Sequence, residues 1–383
     1  MKNFKRMDKT ILALTILFTV LGLIMIFSAS SASTILRYRV PSYHFFQHQL
    51  YFVAAGIVAS FIILKIPTSK YKGFAYLGVL GVLMMLVYVL INGKVNHNAQ
   101  SWIPIGGFSI QPAEFAKSVL IVFMSVFYNN LHVKKDTTIS KYLIPVAIAI
   151  IMAVLICMQP DFGSAFIFLL IAFFIFISVP FVIKNFQTIF KIGIVGLILG
   201  VLVLSLSGRS LLSSERLSRF DFKSPCTRYK ENTGYQVCNG LIAISSGGLF
   251  GRGLGNSTQK FMYLPESHTD FIFPIIIEEL GSIVGAIIIL GYGLLLMRIY
   301  KIAKEASNLQ SSIIAYGTFW YFAIHIIVNL LGILAMMPLT GVPLPFLSYG
   351  GSFTINAYIM LACTQRIAIE NNKDRLARQM AKL

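Results

Sequence analysis

The chain is poor in charged residues, and above all in acidic ones. Only 14 of its 383 residues are Asp or Glu, and charged residues make up 12% of the chain, against about 25% in an ordinary soluble domain. Hydrophobic residues make up 56%. These proportions exclude a soluble globule. The net charge of +18 does not indicate a nucleic-acid surface, because the Lys and Arg residues lie mainly between apolar runs rather than on one face.

Apolar runs near 20 residues in length recur from one end of the chain to the other, and each can cross a bilayer as a helix. We therefore predict an all-α polytopic membrane protein, one domain over residues 1–383. The first run follows basic residues, as a signal peptide does, but it is long enough to be a retained helix. About ten spans are expected, at 11–30, 48–66, 73–92, 113–130, 142–158, 162–180, 189–206, 271–297, 312–336 and 353–369.

The basic residues concentrate in alternate loops between these spans. The positive-inside rule then places both termini, including the basic tail 370–383, in the cytoplasm. On this topology residues 207–269 form a large extracytoplasmic loop between spans seven and eight. Its apolar part, Leu241 to Phe250, is expected to pack at the membrane interface or dip into it rather than to act as a flexible linker.

Cysteine is scarce, with four residues in the chain. Cys157 and Cys363 fall within predicted spans, where buried thiols are usually inert. Cys226 and Cys238 lie in the large loop and can form a disulfide if the compartment is oxidising, or remain free thiols. Two thiols without a nearby His pair do not indicate a zinc site.

The few acidic residues include a cluster where the large loop meets span eight. Glu266, His268 and Asp270 lie within five residues of one another. A carboxylate there can act as a general base toward a hydroxyl, with nearby apolar surface tuning its pKa. Asp270 can equally be a cap at the start of a helix. Spacing alone leaves both possibilities open.

Ionisable and polar pairs also occur inside predicted spans. Glu114 and Lys117 stand three residues apart on one face of span four, so they can form an ion pair that joins helices or holds an anionic substrate. His325 and Asn329 stand four residues apart in span nine. That spacing is more typical of hydrogen bonds between helices than of catalysis.

Three further features lie near the span ends. Asp161 follows Gln159-Pro160 and can be a turn or cap residue, or a metal or substrate ligand. Arg252 and Lys260 suit a phosphate or diphosphate, although a solvated loop surface explains them as well. The loop that contains Ser348 carries three prolines, which make it stiff enough either to shape a pocket wall or to reverse the chain.

Taken together, these segments resemble the SEDS family (shape, elongation, division and sporulation) over nearly the whole chain. Within the family, Gln259-Lys260 followed by Tyr263-Leu-Pro-Glu266 is more similar to the division branch than to the elongation branch. The blocks that carry the resemblance occur in the family's order: Trp102–Lys117, Gln159–Ser164, Gly253–Ser257, the segment around Asp270, and Gly341–Ser352.

The resemblance implies a ten-helix peptidoglycan glycosyltransferase that polymerises lipid II on the outer face of the bacterial cytoplasmic membrane. Asp270 matches the family's essential aspartate, Glu114 and Lys117 match its membrane ion pair, and Asp161 matches its other acidic motif. The expected cofactor is a divalent cation, Mg²⁺ or Mn²⁺, with Asp270 a possible ligand. The expected partners are a class B penicillin-binding protein and other division proteins, at the septum, and undecaprenyl diphosphate is the expected by-product.

Two segments depart from the family pattern. His48 stands where members usually carry a basic residue, and the stretch Lys223–Cys238 is unlike the usual loop of the division branch. The alternatives are an elongation polymerase, a lipid II flippase and a scaffold that recruits the transpeptidase. A flippase is disfavoured, because the ionisable groups gather toward one face and no paired interrupted helices mark inverted repeats.

Overall fold

Long α-helices dominate the computed structural model, which describes residues 6–96, 99–106, 108–185, 187–188, 191, 222–230 and 232–381. Apolar runs near 20 residues form helices because a helix satisfies its own backbone hydrogen bonds. In chain order they are α1 (Lys9–Ser33), α2 (His44–Lys65), α3 (Tyr71–Asn92), α4 (Pro112–Val133), α5 (Ile139–Met158), α6 (Phe162–Ser178), α7 (Pro180–Lys184), α8 (Asn232–Gly247), α9 (Ile272–Leu280), α10 (Ser282–Lys304), α11 (Leu309–Ile333) and α12 (Gly351–Met380).

The helices confirm a polytopic membrane protein. Within the described part of the chain, six helical segments are long and apolar enough to cross a bilayer, namely α1, α2, α3, α5, α10 and α11 with their short extensions. Helix α6 is apolar but shorter, and α4 and α12 are long but carry more polar residues. The predicted span 189–206 lies, except for Lys191, outside the described residues. Each of the other predicted spans overlaps a helix.

The predicted span 271–297 is wrong as one continuous helix. The structure divides it at Gly281, whose φ of 90° an L residue rarely adopts. Helix α10 has 23 residues and is about 34 Å long at 1.5 Å per residue, so it crosses the bilayer without α9. Glu278 and Glu279, which the sequence places about two turns into this span, therefore lie just before the crossing helix.

A small sheet interrupts the otherwise helical chain between α3 and α4. Strands β1 (Lys94–Asn96), β2 (Ala99–Ile105) and β3 (Phe108–Ile110) pair in sequence order, each antiparallel to the next. An exclusively helical description therefore omits this segment. The sheet contacts α3, α4 and α12.

Helix α11 is the centre of the bundle. Of its most apolar stretch, 72% is buried inside the protein, against 17% for α2. It packs against α4, α6, α10 and α12, while α2 packs along α12 and α3 along α4. A helix surrounded in this way can carry buried polar groups at a fixed depth, because it has neighbours on every side.

The described part of the large loop is folded. Cys226 and Cys238 form a disulfide, and α8 packs along α9, as expected of an apolar segment that is not a linker. The chain after α8 lies against the break at Gly281, since Ser282 and Ile283 donate their N–H groups to the carbonyl oxygens of Gly248 and Leu249. The loop is thereby fixed to the start of the crossing helix α10.

Candidate active site

Asp270 lies at one end of the bundle, immediately before α9, and its side chain is buried, with the residue 7% exposed. Asn329, one turn before the end of α11, donates hydrogen bonds from Nδ2 to the carbonyl oxygens of Asp270 and Val342, at 2.8 and 2.7 Å. Gly341 stands behind the carboxyl group: a Cβ atom there would lie 3.9 Å from Asp270 Oδ2. The carboxyl group is therefore held between α11 and the loop that joins α11 to α12, residues 334–350, which contains three prolines and is called the proline-rich loop below.

Burial changes the acidity of this carboxyl group. The pKa of Asp270 is raised from 3.8 to about 7, first by loss of hydration and second by the nearby Glu266 carboxylate. The Thr269 hydroxyl lies 3.1 Å from both Glu266 Oε2 and Asp270 Oδ1. Because a hydroxyl has one proton to donate, it can donate a hydrogen bond to only one of these two carboxyl groups at a time. A carboxyl group with a pKa near the working pH can take up a proton and release it, which is what a general base requires.

Glu266 and His268, the two ionisable residues closest to Asp270 in the chain, have different surroundings. Glu266 faces Arg37, with 3.9 Å between Oε1 and the guanidinium. His268 is buried and packs on Phe45, with ring centroids 4.3 Å apart. Burial lowers the pKa of His268 to about 4, so its ring is neutral near pH 7. His268 is therefore not a cation beside Asp270. Its carbonyl oxygen accepts a hydrogen bond from the Tyr349 backbone, 2.9 Å away.

Glu114 and Lys117 form the ion pair that their spacing predicts. Lys117 Nζ lies 2.6 Å from Glu114 Oε1, and both side chains are buried near the start of α4. A second partner is His325 of α11, whose Nε2 lies 3.1 Å from Lys117 Nζ. In the sequence, His325 lies 208 residues from Lys117, and no spacing links the two. Only their positions on neighbouring helices bring them together.

Asp161 lies at the same end of the bundle and acts there as a helix cap. Its Oδ1 accepts the N–H of Ser164 at 3.1 Å, and its Oδ2 accepts from Gln111 at 2.7 Å. Helix α6 begins against the proline-rich loop, because a Cβ atom at Gly163 would lie 2.6 Å from the Thr340 carbonyl oxygen. The cap role is visible in the structure. A metal or substrate role for Asp161 stays a prediction.

Lys260 and Arg252 already have acidic partners. Lys260 is buried, and its Nζ lies 2.9 Å from Glu279 Oε1 and 2.6 Å from the Gly255 carbonyl oxygen. Arg252 NH1 lies 3.6 Å from Glu278 Oε1, although its side chain is 42% exposed. Both cations therefore neutralise carboxylates that α9 buries. Their predicted role toward a diphosphate stays a prediction, and exposure favours Arg252 over Lys260.

Ser348 is buried inside the proline-rich loop rather than directed into a cavity. Its Oγ accepts the N–H of Leu344 at 2.8 Å, and its carbonyl oxygen accepts from Gln49 of α2 at 3.5 Å. These bonds fix the loop that stands behind Asp270. The structure thus shows a supporting role for Ser348, and direct substrate contact stays a prediction.

The acidic residues fit a magnesium or manganese ion only as part of a larger ligand set. Among the described residues, no group of three His, Cys, Asp or Glu side chains comes together as a metal site. Asp270 and Glu266 nevertheless offer carboxylate oxygens beside the Thr269 hydroxyl. Mg²⁺ is usually held by one or two carboxylates, water and substrate phosphates. The donor set therefore fits an ion that binds together with a diphosphate.

The fold and the site define a multi-span membrane protein with a buried, readily protonated carboxyl group at one end of the bundle. The chain belongs to the cell cycle protein family of FtsW, RodA and SpoVE, whose family model matches residues 8–373. It is similar to the probable peptidoglycan glycosyltransferase FtsW of Bacillus subtilis, with 38% identity covering 92% of this chain and 88% of that protein. The stage V sporulation protein E of the same organism is 36% identical, covering 90% and 92%.

Solved structures share the fold. A chain from a peptidoglycan synthase complex matches with a TM-score of 0.74 and 22% identity, covering 95% of this chain and 98% of that chain. The rod shape determining protein RodA of Thermus thermophilus matches with a TM-score of 0.65 and 23% identity, covering 94% and 96%. At this identity the structural likeness establishes the shared fold alone.

Proposed function

We propose that this protein is a peptidoglycan glycosyltransferase that polymerises lipid II into glycan strands. The observation that carries the proposal is the Asp270 carboxyl group, buried at one end of the bundle with a pKa of about 7. Support comes from the relatives, since FtsW proteins with 38% and 32% identity over most of the chain are named probable peptidoglycan glycosyltransferases.

In the proposed reaction, Asp270 accepts the proton of the GlcNAc 4-hydroxyl of the acceptor. The hydroxyl oxygen then forms a bond to the anomeric carbon of the donor MurNAc, and the bond from that carbon to the diphosphate oxygen breaks. Undecaprenyl diphosphate leaves with the electron pair of that bond. Because the hydroxyl attacks opposite the leaving group, the anomeric configuration inverts. General-base assistance of this kind contributes roughly 10²- to 10⁴-fold to a rate.

The leaving diphosphate needs positive charge close to it. Lys117 is the buried cation on α4 at this end of the bundle, and Arg252 is partly exposed. When bound by Asp270 and Glu266, a Mg²⁺ or Mn²⁺ ion would offset the negative charge that develops on the diphosphate. The protein's own contribution is to fix these groups before the substrate arrives, which makes electrostatic stabilisation effective.

We place the Asp270 end of the bundle outside the cytoplasmic membrane and both termini inside the cell. The supporting observation is that the opposite end carries the basic ends of α10 and α12, with Lys301, Lys304, Arg375 and Arg378. The positive-inside rule assigns such an end to the cytoplasm. The substrate headgroup would then meet Asp270 on the outer face.

The expected partners are a class B penicillin-binding protein and other division proteins, with enrichment at the septum. A partner that crosslinks glycan strands is supported by the matched chain from a peptidoglycan synthase complex, in which polymerisation and crosslinking are coordinated. We assign the division role in preference to elongation, and the support is the FtsW relative, which is 38% identical over 92% of this chain. The sporulation relative, at 36% identity, makes a sporulation role the alternative to the division role.

The test is reconstitution of the purified chain, with its cognate transpeptidase, in vesicles that contain lipid II and Mg²⁺. We expect glycan strands and undecaprenyl diphosphate as products, formed on the face that carries Asp270. Lipid II that crosses the bilayer without forming polymer would replace this proposal with a flippase. A fluorescent fusion that spreads along the sidewall instead of gathering at the septum would contradict the division role.

A further inference from the structure

Helix α11 carries two polar side chains, one turn apart, that the proposed reaction does not use. His325 and Asn329 are buried, with the residues 0% and 4% exposed. Residues four apart lie on the same face of a helix. One face of the central helix therefore presents an imidazole and an amide, and each contacts a different part of the candidate active site.

The hydrogen bonds of His325 fix which of its ring nitrogens carries the proton. Nδ1 lies 2.6 Å from the carbonyl oxygen of Tyr321, and because a carbonyl oxygen can only accept, Nδ1 must be the donor. Nε2 then keeps its lone pair and accepts from Lys117 Nζ, 3.1 Å away. Lys117 is thus held from two sides, by Glu114 on its own helix and by His325 on α11.

The amide of Asn329 is fixed by the same reasoning. Both acceptors of its Nδ2 group, the backbone oxygens of Asp270 and Val342, are carbonyl oxygens. Only the NH₂ side of the amide can face them. Asn329 therefore fixes the backbone of Asp270. Through Val342, the neighbour of Gly341, it also fixes the loop that stands behind the Asp270 carboxyl group.

We propose that His325 and Asn329 are positioning residues that hold Lys117 and Asp270 in a fixed relation during glycosyl transfer. The inference rests on the proposed function, in which Asp270 acts on the acceptor hydroxyl and Lys117 on the leaving diphosphate. Asp270 acts on the attacking hydroxyl and Lys117 on the leaving diphosphate, so the distance between these two protein groups affects the rate. A displacement of about 1 Å can cost roughly 100-fold in rate.

The chain offers a matched pair of substitutions at His325. His325→Phe keeps an aromatic ring between Tyr321 and Phe353, whose centroids lie 4.6 and 4.9 Å away, but removes the acceptor for Lys117. His325→Gln supplies an amide oxygen as a substitute acceptor. We expect kcat for lipid II polymerisation to fall at least about tenfold in the Phe variant, with KM within about threefold, and the Gln variant to recover most of the loss.

Asn329→Asp tests the second contact at nearly constant side-chain size. It replaces the donating NH₂ by an oxygen that faces two carbonyl oxygens, so the Asp270 backbone loses its attachment. We expect kcat to fall at least about tenfold and amide hydrogen exchange over residues 266–271 to rise. The double variant with His325→Phe should lose less than the product of the two single losses, because each substitution disrupts the same arrangement.

Equal loss of kcat in the Phe and Gln variants would overturn the role of His325, since an acceptor would then not matter. Unchanged kcat in either His325→Phe or Asn329→Asp would overturn the role of that residue. If the wild-type protein made no polymer, the proposed function would fail, and the exchange measurement would still decide the contact of Asn329 with Asp270. Unchanged exchange there would overturn the inference independently of activity.

Discussion

The acidity of Asp270 can be tested by titrating its carboxyl group directly. The pKa of its carboxyl group is raised from 3.8 to about 7, by burial first and by the Glu266 carboxylate second. Glu266→Gln removes the second cause and leaves the first. The midpoint of Asp270 should therefore move down in this variant while staying above 3.8, because burial is the larger cause.

The size of the shift makes the effect measurable. The pKa of Asp270 rises from 3.8 to about 7, a change of roughly 3 pKa units. This change corresponds to about 4 kcal/mol of free energy that favours the protonated carboxyl group over the ionised one. At pH 6 about a tenth of Asp270 is ionised if its pKa is 7, so the protonated form, which cannot act as a base, should dominate at this pH. Because the folded-state pKa is raised, ionisation opposes folding. The cost is absent below about pH 4 and is complete only above about pH 7.

Infrared spectroscopy in D₂O can follow the carboxyl group without relying on activity. The spectrum of Asp270→Asn is subtracted from that of the wild type in the presence of EDTA, and the remaining protonated carboxyl band is titrated. A midpoint near 7 is expected in the wild type and a lower one in Glu266→Gln. Glu305→Gln, at the opposite end of the bundle, serves as the control and should leave the midpoint unchanged. A wild-type midpoint near 4, or equal midpoints with and without Glu266, would refute this reasoning.

Three further predictions concern stability and the cation. Lys260→Met leaves the buried Glu279 carboxylate without its cationic partner and should lower the free energy of unfolding by roughly 3 to 5 kcal/mol. Lys301→Met breaks the exposed ion pair with Glu305 and should change the free energy of unfolding by less than about 1 kcal/mol. Thermal unfolding in detergent compares the two variants. Gly251→Ala should lower the unfolding temperature, because φ is 78° and the added Cβ would lie 2.3 Å from the Glu279 carbonyl oxygen; an unchanged value would show that the loop does not fit the break closely. EDTA should abolish polymerisation, with Mg²⁺ or Mn²⁺ restoring it, and full activity in EDTA would remove the cation from the mechanism.

The hydropathy of the chain predicts most of its helices, because only helices and closed barrels satisfy their backbone hydrogen bonds inside a bilayer. The break at Gly281 escaped prediction for a physical reason. Residues 271–297 are apolar on both sides of it, so composition predicts one span, while a φ of 90° follows from packing against the loop after α8. Strands β1 and β3, with three residues each, are too short for a clear alternating pattern, and β2 contains Pro104, which weakens a strand prediction.

The candidate site was only partly readable from the sequence. Spacing within one helix predicted that Glu114 and Lys117 could pair, because neighbours on a helix surface are fixed by its geometry. Spacing could not predict that Lys260 faces Glu279 or that Lys117 faces His325, since these contacts depend on how distant segments pack. The sequence indicated that apolar surface could tune the pKa of a carboxylate here, but it could not show that burial outweighs the Glu266 carboxylate at Asp270.

The most direct test of the central claim compares purified wild type with Asp270→Asn in the polymerisation of lipid II, with Asp136→Asn as the control. Asp136 is an acidic residue in the loop between α4 and α5, paired with Lys141. We expect the Asp270 variant to fold and bind lipid II but to form glycan strands at least about 100-fold more slowly, while Asp136→Asn polymerises normally. Wild-type rates in the Asp270→Asn protein would contradict the assignment of this carboxyl group as the base.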